Sequence, residues 1–206
     1  MTKKKVLLLF AHPSHHKSEV NVPLFQAANQ VPGVTTVDLY FEYPRFNIDI
    51  NREQQRLLDH DIIIFQFPLY WYSTPSLLKE WQDLVLEYGF AYGEGGNKLH
   101  GKTFLCSITA GGKEEAYCAK GNNHFTLADF LQPIEQMVSL TGMTYIAPLV
   151  LFGSRTAVEE QRVQVHAERY QRLLEALISD QVDLNAARQR KKITTDLSPI
   201  MKESTQ

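Results

Sequence analysis

Three stretches of the chain concentrate side chains able to do chemistry. Residues 11–21, AHPSHHKSEVN, set the donors His12, Ser14, Lys17 and Ser18 ahead of a segment that can open a helix. With no glycine the stretch is neither a dinucleotide fingerprint nor a Walker loop. It still suits an anion, because the free N–H groups and dipole of a helix N-terminus attract negative charge. Taken alone, a plain capping segment with Ser18 or Asn21 as the cap explains it better. Pro23 falls harmlessly in the first turn only if the helix starts near Asn21. Residues 68–75, PLYWYSTP, place Tyr70, Trp71 and Tyr72 consecutively. Three adjacent aromatics cannot all enter a core from one loop, so at least one is expected in the open. There it would suit either a flat ligand or a subunit interface. Residues 109–117, TAGGKEEAY, carry Gly111 and Gly112, which allow close backbone approach or merely a flexible turn. Tyr117 follows with a phenol that could donate to negative charge developing on a bound ring, although a surface tyrosine is the commoner case. His15 and His16 lack the partners of a metal site, and no nucleophile elbow is present.

The elements that must position these loops are legible as five apolar runs: Lys5–Phe10, Thr35–Tyr40, Asp61–Phe67, Thr103–Ile108 and Tyr145–Phe152. Four are apolar nearly throughout, the pattern of parallel strands covered on both faces. Helices are expected between them. Pro75–Tyr88 is the clearest, with Leu77, Leu78, Trp81, Leu84 and Val85 at helical spacing, Pro75 in the first turn and Gly89 as a stop. Asn51–His60, Phe125–Gly142, Ala157–Ser179 and a segment from about Ser18–Asn21 are further helical candidates. Strand and helix alternate five times without internal repeats, which predicts an α/β, doubly wound open sheet. In such a sheet ligands bind beyond the carboxyl ends of the strands, and all three chemical stretches follow strands.

Composition bounds the rest. At 206 residues the chain forms one domain able to bury roughly 70% of its unfolded surface. A net charge of −2 with 44% apolar residues excludes a disordered chain and a bulk polyanion binder. The longest apolar runs, such as Val6 to Ala11, fall far short of the ~20 residues of a membrane-spanning helix. The start, MTKKKVLLLFAHPS, imitates a secretory signal but stops too soon and lacks a small-residue cleavage site, so a cytoplasmic protein is expected. Cys106 and Cys118 lack the spacing of a zinc site or disulfide framework and read as inert thiols. His60, His100 and His166 read as ordinary residues. Residues 1–185 form the domain, and the basic stretch 186–206, with Pro199 and few apolar residues, is expected to be a mobile solvated tail.

Taken together, Ala11-His-Pro, Ser18 with Asn21, Pro68-Leu-Tyr-Trp-Tyr and Thr109-Ala-Gly-Gly resemble the NAD(P)H:quinone oxidoreductase family of flavodoxin-like flavoproteins. The segments YPRFNID at 43–49, STPSLLKEW at 73–81 and GFAYGEGG at 89–96 are similar to one branch, the ancillary flavoproteins of glutathione-regulated (Kef-type) potassium-efflux systems. The resemblance spans residues 5 to about 178. It implies a flavodoxin-like five-stranded parallel sheet of order 2-1-3-4-5, a homodimer, and a bound flavin, FMN in the Kef branch and FAD in larger relatives. Carried over by position, His12, Ser18, Glu19, Val20 and Asn21 would hold phosphate and ribityl chain. Leu69, Tyr70, Trp71 and Tyr72, with Thr109, Ala110, Gly111 and Gly112, would hold the isoalloxazine. The implied reaction is two-electron, ping-pong reduction of a quinone by NAD(P)H. Tyr117 matches the family's tyrosine for charge balance on reduced flavin, whereas its partner histidine falls opposite Asn123, with His124 next to it. The second function implied is that of a regulatory subunit on a potassium-efflux transporter. Retention of Trp71 and Tyr72 favours catalysis.

Overall fold

A computed structural model describes residues 3–193 and 196–202. Strands β1 (Val6–Phe10), β3 (Ile62–Pro68) and β4 (Thr103–Thr109) are buried at every position, as mostly apolar, non-alternating runs lead one to expect. With β2 (Val34–Asp38), β5 (Thr144–Tyr145) and β6 (Leu149–Leu151) they form one parallel sheet of order β2-β1-β3-β4-β5, with β6 also paired to β4. This is the expected 2-1-3-4-5 order, its fifth strand broken in two. The pleat sends Val6, Leu8 and Phe10 to one face, under α1 (Asn21–Asn29) and α6 (Arg162–Ile178). Leu7 and Leu9 go to the other face, which also buries apolar residues of α3 (Ile50–Asp59), α4 (Ser76–Val85) and α5 (Leu127–Leu140). Each side chain of β1 thus enters one of two cores of ordinary packing.

Several boundaries differ from expectation, each for a local reason. The second strand ends at Asp38 because that carboxylate accepts from the Tyr40 and Phe41 amides and starts a single helical turn, α2 (Leu39–Glu42). The fifth breaks over 146–148, where Pro148 has no N–H to give and the Ala147 amide turns to Ala187 O. The last long helix starts at Arg162 rather than Ala157, since Gln161 adopts φ 54°, a left-handed conformation no α-helix accommodates.

The largest correction concerns the described part of the C-terminal stretch, 186–193 and 196–202, expected to be mobile; 194–195 and 203–206 lie outside the described residues. Asp183 caps a short helix, α7 (Leu184–Arg188), and Ala187, Ile193 and Ile200 are buried in the core on the α1–α6 face. Ile193 N donates to Pro148 O and Ile193 bridges Leu149. Three thinly spaced apolar residues outweigh the basic run because the broken fifth strand leaves backbone groups and a greasy edge for them to cover.

On the opposite face, Glu53 of α3 is wholly buried. It accepts from Tyr43 Oη at 2.6 Å, Trp81 Nε1 at 2.9 Å and Arg56 Nη1 at 2.5 Å. This satisfied ionic cluster pins α3 to α4 and to the chain after α2.

Candidate functional site

The loops after β1, β3 and β4 converge on one cavity of about 820 Å³ at the carboxyl edge of the sheet, within the usual size of a cofactor site. Its wall contains His12, Ser18, Glu19, Val20, Asn21, Leu69, Tyr70, Trp71, Tyr72, Thr109, Gly111, Gly112 and Tyr117. Every candidate binding residue except Ala110 lines it. Ala110 is fully buried below the cavity floor, its amide bonded to Leu151 O. His124 stands outside the wall, exposed and at φ 60°. Asn123 lines the cavity instead and accepts from Tyr72 Oη at 3.1 Å. A second cavity, about 410 Å³, lies between α4 and α5 and is lined mainly by apolar side chains.

At the α1 end, Ser18 Oγ accepts from the amides of Asn21 (3.1 Å) and Val22 (3.3 Å), so it caps the helix although three residues ahead of it. Its acceptor side is thus occupied by the chain, leaving the hydroxyl hydrogen to a ligand. Among the described residues the Glu19 and Val20 amides have no acceptor within the protein. His12 is nearly buried; its Nδ1 accepts from Ser14 N at 3.1 Å, which assigns the proton of the neutral ring to Nε2, 3.2 Å from Tyr70 Oη. Burial, reinforced by nearby His15, holds its pKa below the ordinary histidine value.

Asn21 ties this end to the sheet. Its Nδ2 donates to Thr109 Oγ1 at 2.7 Å, and its carbonyl accepts from the buried Gln66 side chain at 2.9 Å. Asn21 Oδ1 is buried with no partner among the described residues, and a buried orphan acceptor costs roughly 1–3 kcal/mol. Asn21 itself is part of the cavity lining, so a ligand donor seated against it could complete this acceptor. Thr109, accepting from Asn21, likewise keeps its own hydroxyl hydrogen for the cavity.

The aromatic loop forms a tight turn in which Ser73 N donates to Tyr70 O at 3.1 Å. Both central residues, Trp71 at φ 49° and Tyr72 at φ 65°, are left-handed, the signature of a turn normally given to Gly or Asn. Bulky residues there are strained, and such strain clusters at functional sites. All three aromatics are at least partly exposed; Trp71 is 92% exposed. Tyr72 is held by stacking on Phe130, centroids 4.6 Å apart. The amides of Trp71, Tyr72 and Gly111 have no acceptor within the described protein. Tyr117 closes one side, its ring against Phe152 at 5.2 Å. Burial, with Tyr72 adding to it, raises its pKa above the ordinary tyrosine value, so the phenol stays protonated at neutral pH.

Ser154 and Arg155 also line the cavity, and neither stood among the sequence candidates. They follow the fifth strand, so the rule that picks out the other post-strand loops would have found them had it been extended one strand further.

Comparison with known proteins agrees with this architecture. The flavodoxin-like fold family matches residues 4–174. A glutathione-regulated potassium-efflux system ancillary protein KefG of Cronobacter sakazakii is 48% identical over 170 residues, covering 82% of this chain and 92% of its own. General stress protein 14 of Treponema denticola, solved in complex with FMN, superposes with a TM-score of 0.79 at 34% identity, covering 84% of this chain and 99% of that one. An NADPH-quinone reductase from P. pentosaceus does so with a TM-score of 0.73 at 30% identity, covering 82% and 96%. The chain belongs to the flavodoxin-like family.

Proposed function

We propose that this chain is a cytoplasmic FMN-dependent NAD(P)H:quinone oxidoreductase. The observation that carries it is one cavity with anion donors at the α1 end, unpartnered amides from two further loops and an exposed aromatic wall. The donor set and the orphaned Asn21 Oδ1 fit a phosphorylated ribityl flavin, and the FMN complex of the Treponema relative supports that choice. When bound, FMN would supply two-electron chemistry linking NAD(P)H oxidation to reduction of a quinone, with a proton from solvent, in the same space, which implies ping-pong turnover.

The protein's own part is binding, orientation and proton control. The Ser18 hydroxyl and the Glu19 and Val20 amides hold the phosphate and ribityl chain, with α1's dipole favouring the charge, and neutral His12 borders that end with its Nε2–H on Tyr70 Oη. Asn21 Oδ1 accepts from a ribityl hydroxyl. The amides of Trp71, Tyr72 and Gly111 orient the polar edge of the ring, and Tyr117 keeps a donor proton on Oη beside it. The aromatic wall keeps water from the face where nicotinamide and quinone alternate. His124, exposed and off the wall, takes no direct part. The same reading includes a homodimer, for which the exposed Trp71 and the apolar groove between α4 and α5 are available surfaces.

A yellow purified protein releasing FMN on acid treatment, with NAD(P)H oxidation accelerated by benzoquinone or menadione and parallel double-reciprocal lines, is the expected result. Released FAD, no flavin after reconstitution, or no quinone-dependent turnover with either nicotinamide would sink it. The KefG relative supports one further reading, a regulatory subunit on a potassium-efflux transporter. That role predicts slow flavin reduction that added quinone does not accelerate.

A further inference from the structure

We propose that Lys192, in the C-terminal stretch beyond the residues the family matches, is a positioning residue that sets Tyr117 in the flavin cavity; this rests on the quinone-reductase reading above. Two contacts of its ammonium bear on the same loop. It pairs with Glu114, the first residue of the short 3-10 turn whose carbonyl accepts from the Tyr117 amide at 2.9 Å. It also lies over the Phe152 ring, 5.4 Å from the centroid, and that ring is the one packed on Tyr117. Lys192 thus grips Tyr117 from both sides, by backbone through Glu114 and by ring through Phe152. The Lys192 side chain is about three-quarters buried while Glu114 is 55% exposed, so the pair is partly screened by solvent and the Phe152 contact carries the better-shielded part of the grip.

The grip is itself anchored. Next to Lys192, Ile193 is buried and donates its amide to Pro148 O at 2.8 Å, one residue ahead of the strand that leads to Phe152. Without that anchor a lysine on a solvated tail would have no fixed place from which to hold a loop. The Tyr117 loop itself is tied mostly over short range: the segment after the Glu114 turn is irregular up to α5 and is held by Gly121 N to Cys118 O at 2.9 Å, His124 N to Gly121 O at 3.0 Å and Asn123 N to Ala116 O at 3.1 Å, with the Tyr117 ring edge-on to Phe130 at 6.2 Å.

The test uses the full-length holoprotein with Lys192→Met, which keeps the stem and removes the charge, Lys192→Arg, which keeps the charge, and Glu114→Gln, which weakens the same pair without touching the tail. Quinone-dependent kcat in Lys192→Met is expected to fall roughly tenfold, short of the ~100-fold that a 1 Å misplacement can cause. FMN content and the KM for NAD(P)H should stay at wild-type values. Amide deuterium exchange over residues 112–124 should speed up, Lys192→Arg should restore both readouts, and Glu114→Gln should fall between. Wild-type kcat and wild-type exchange in Lys192→Met would overturn the proposal, as would a Lys192→Arg protein as impaired as Lys192→Met. A wild-type protein without quinone turnover refutes the reductase reading instead, and exchange over 112–124 then decides the Lys192 contact by itself.

Discussion

The turn at Tyr70–Ser73 allows stability and function to be set against each other at one residue. Trp71 sits at φ 49° with 92% of its surface exposed, so replacing it by glycine removes almost no packing while lifting a steric penalty. A left-handed L-residue costs about 1–2 kcal/mol, and glycine's extra chain entropy takes back about 0.5–1 kcal/mol. The net expectation for Trp71→Gly is a gain of roughly 0.5–1 kcal/mol, which for a chain of this size raises Tm by about 1–4 °C. Trp71→Ala keeps the Cβ and the strain, and its Tm should match wild type. Both variants lose the most exposed ring of the aromatic wall and leave Tyr70 and Tyr72 in place. Stacking of that kind is worth about 0.5–1.5 kcal/mol beyond area, so the KM for quinone should rise roughly three- to tenfold in each. Stability is measured on flavin-free protein by thermal and urea denaturation, and kinetics on reconstituted protein with menadione. A Trp71→Gly protein less stable than Trp71→Ala would refute the strain argument, and an unchanged quinone KM in both would refute the assignment of Trp71 to the substrate wall.

His166 is buried in α6 with Nε2 unpartnered among the described residues, and burial together with Arg169 and Arg162 lowers its pKa to about 4. An unfolded histidine titrates near 6.5, so between those values the unfolded chain binds the extra proton; stability is therefore full above pH 6.5 and lost as pH falls towards 4, by up to roughly 3 kcal/mol. Urea midpoints of wild type and His166→Leu at pH 7.5 and 4.5 check it, the variant being expected to lose less over that interval. Glu53→Ala leaves the Trp81 indole N–H and the Tyr43 hydroxyl hydrogen facing a hole, while Arg56 keeps Glu42 at 3.0 Å, and should cost about 2–6 kcal/mol, at roughly 1–3 for each stranded donor; a loss under 1 kcal/mol by denaturant titration contradicts the cluster's role. Ser18→Ala removes a hydroxyl donor to a charged phosphate, worth about 1.5–3 kcal/mol, and should raise the FMN Kd roughly 10- to 100-fold by flavin fluorescence titration, whereas an unchanged Kd places the phosphate elsewhere.

The sheet and three of its loops are legible in the sequence because their signals are physically redundant. Val6–Phe10, Ile62–Pro68 and Thr103–Thr109 are short, mostly apolar runs that do not alternate and are buried at every position, the pattern of covered parallel strands. The residues that follow such strands are then candidates by topology alone. What stayed hidden depends on contacts distant in sequence. Tyr145–Phe152 reads as one strand because apolarity does not show that Ala147 bonds Ala187. The burial of Ile193 and Ile200 is invisible in a basic, proline-containing stretch, where average composition outweighs single side chains. Glu53 reads as one more charge on an amphipathic helix until Tyr43, Trp81 and Arg56 surround it. Nor does spacing tell Asn123 from His124, since a left-handed backbone at His124 turns that side chain off the wall.

The bridge from Ile193 to Leu149 also bears on how the chain reaches this state without sticking to its neighbours. Leu149, Val150 and Leu151 are all buried, and they lie on the side of the sheet away from β2, where an unpaired apolar strand is a template for a strand from another molecule. Its cover comes from about forty residues further along the chain, so during synthesis that edge stays open after the strand itself has emerged. The interval between those two events is when the nascent chain is most exposed to aggregation. Substitutions at Ile193 should therefore show first as lost soluble yield, in protein whose surviving fraction still folds around an intact cavity.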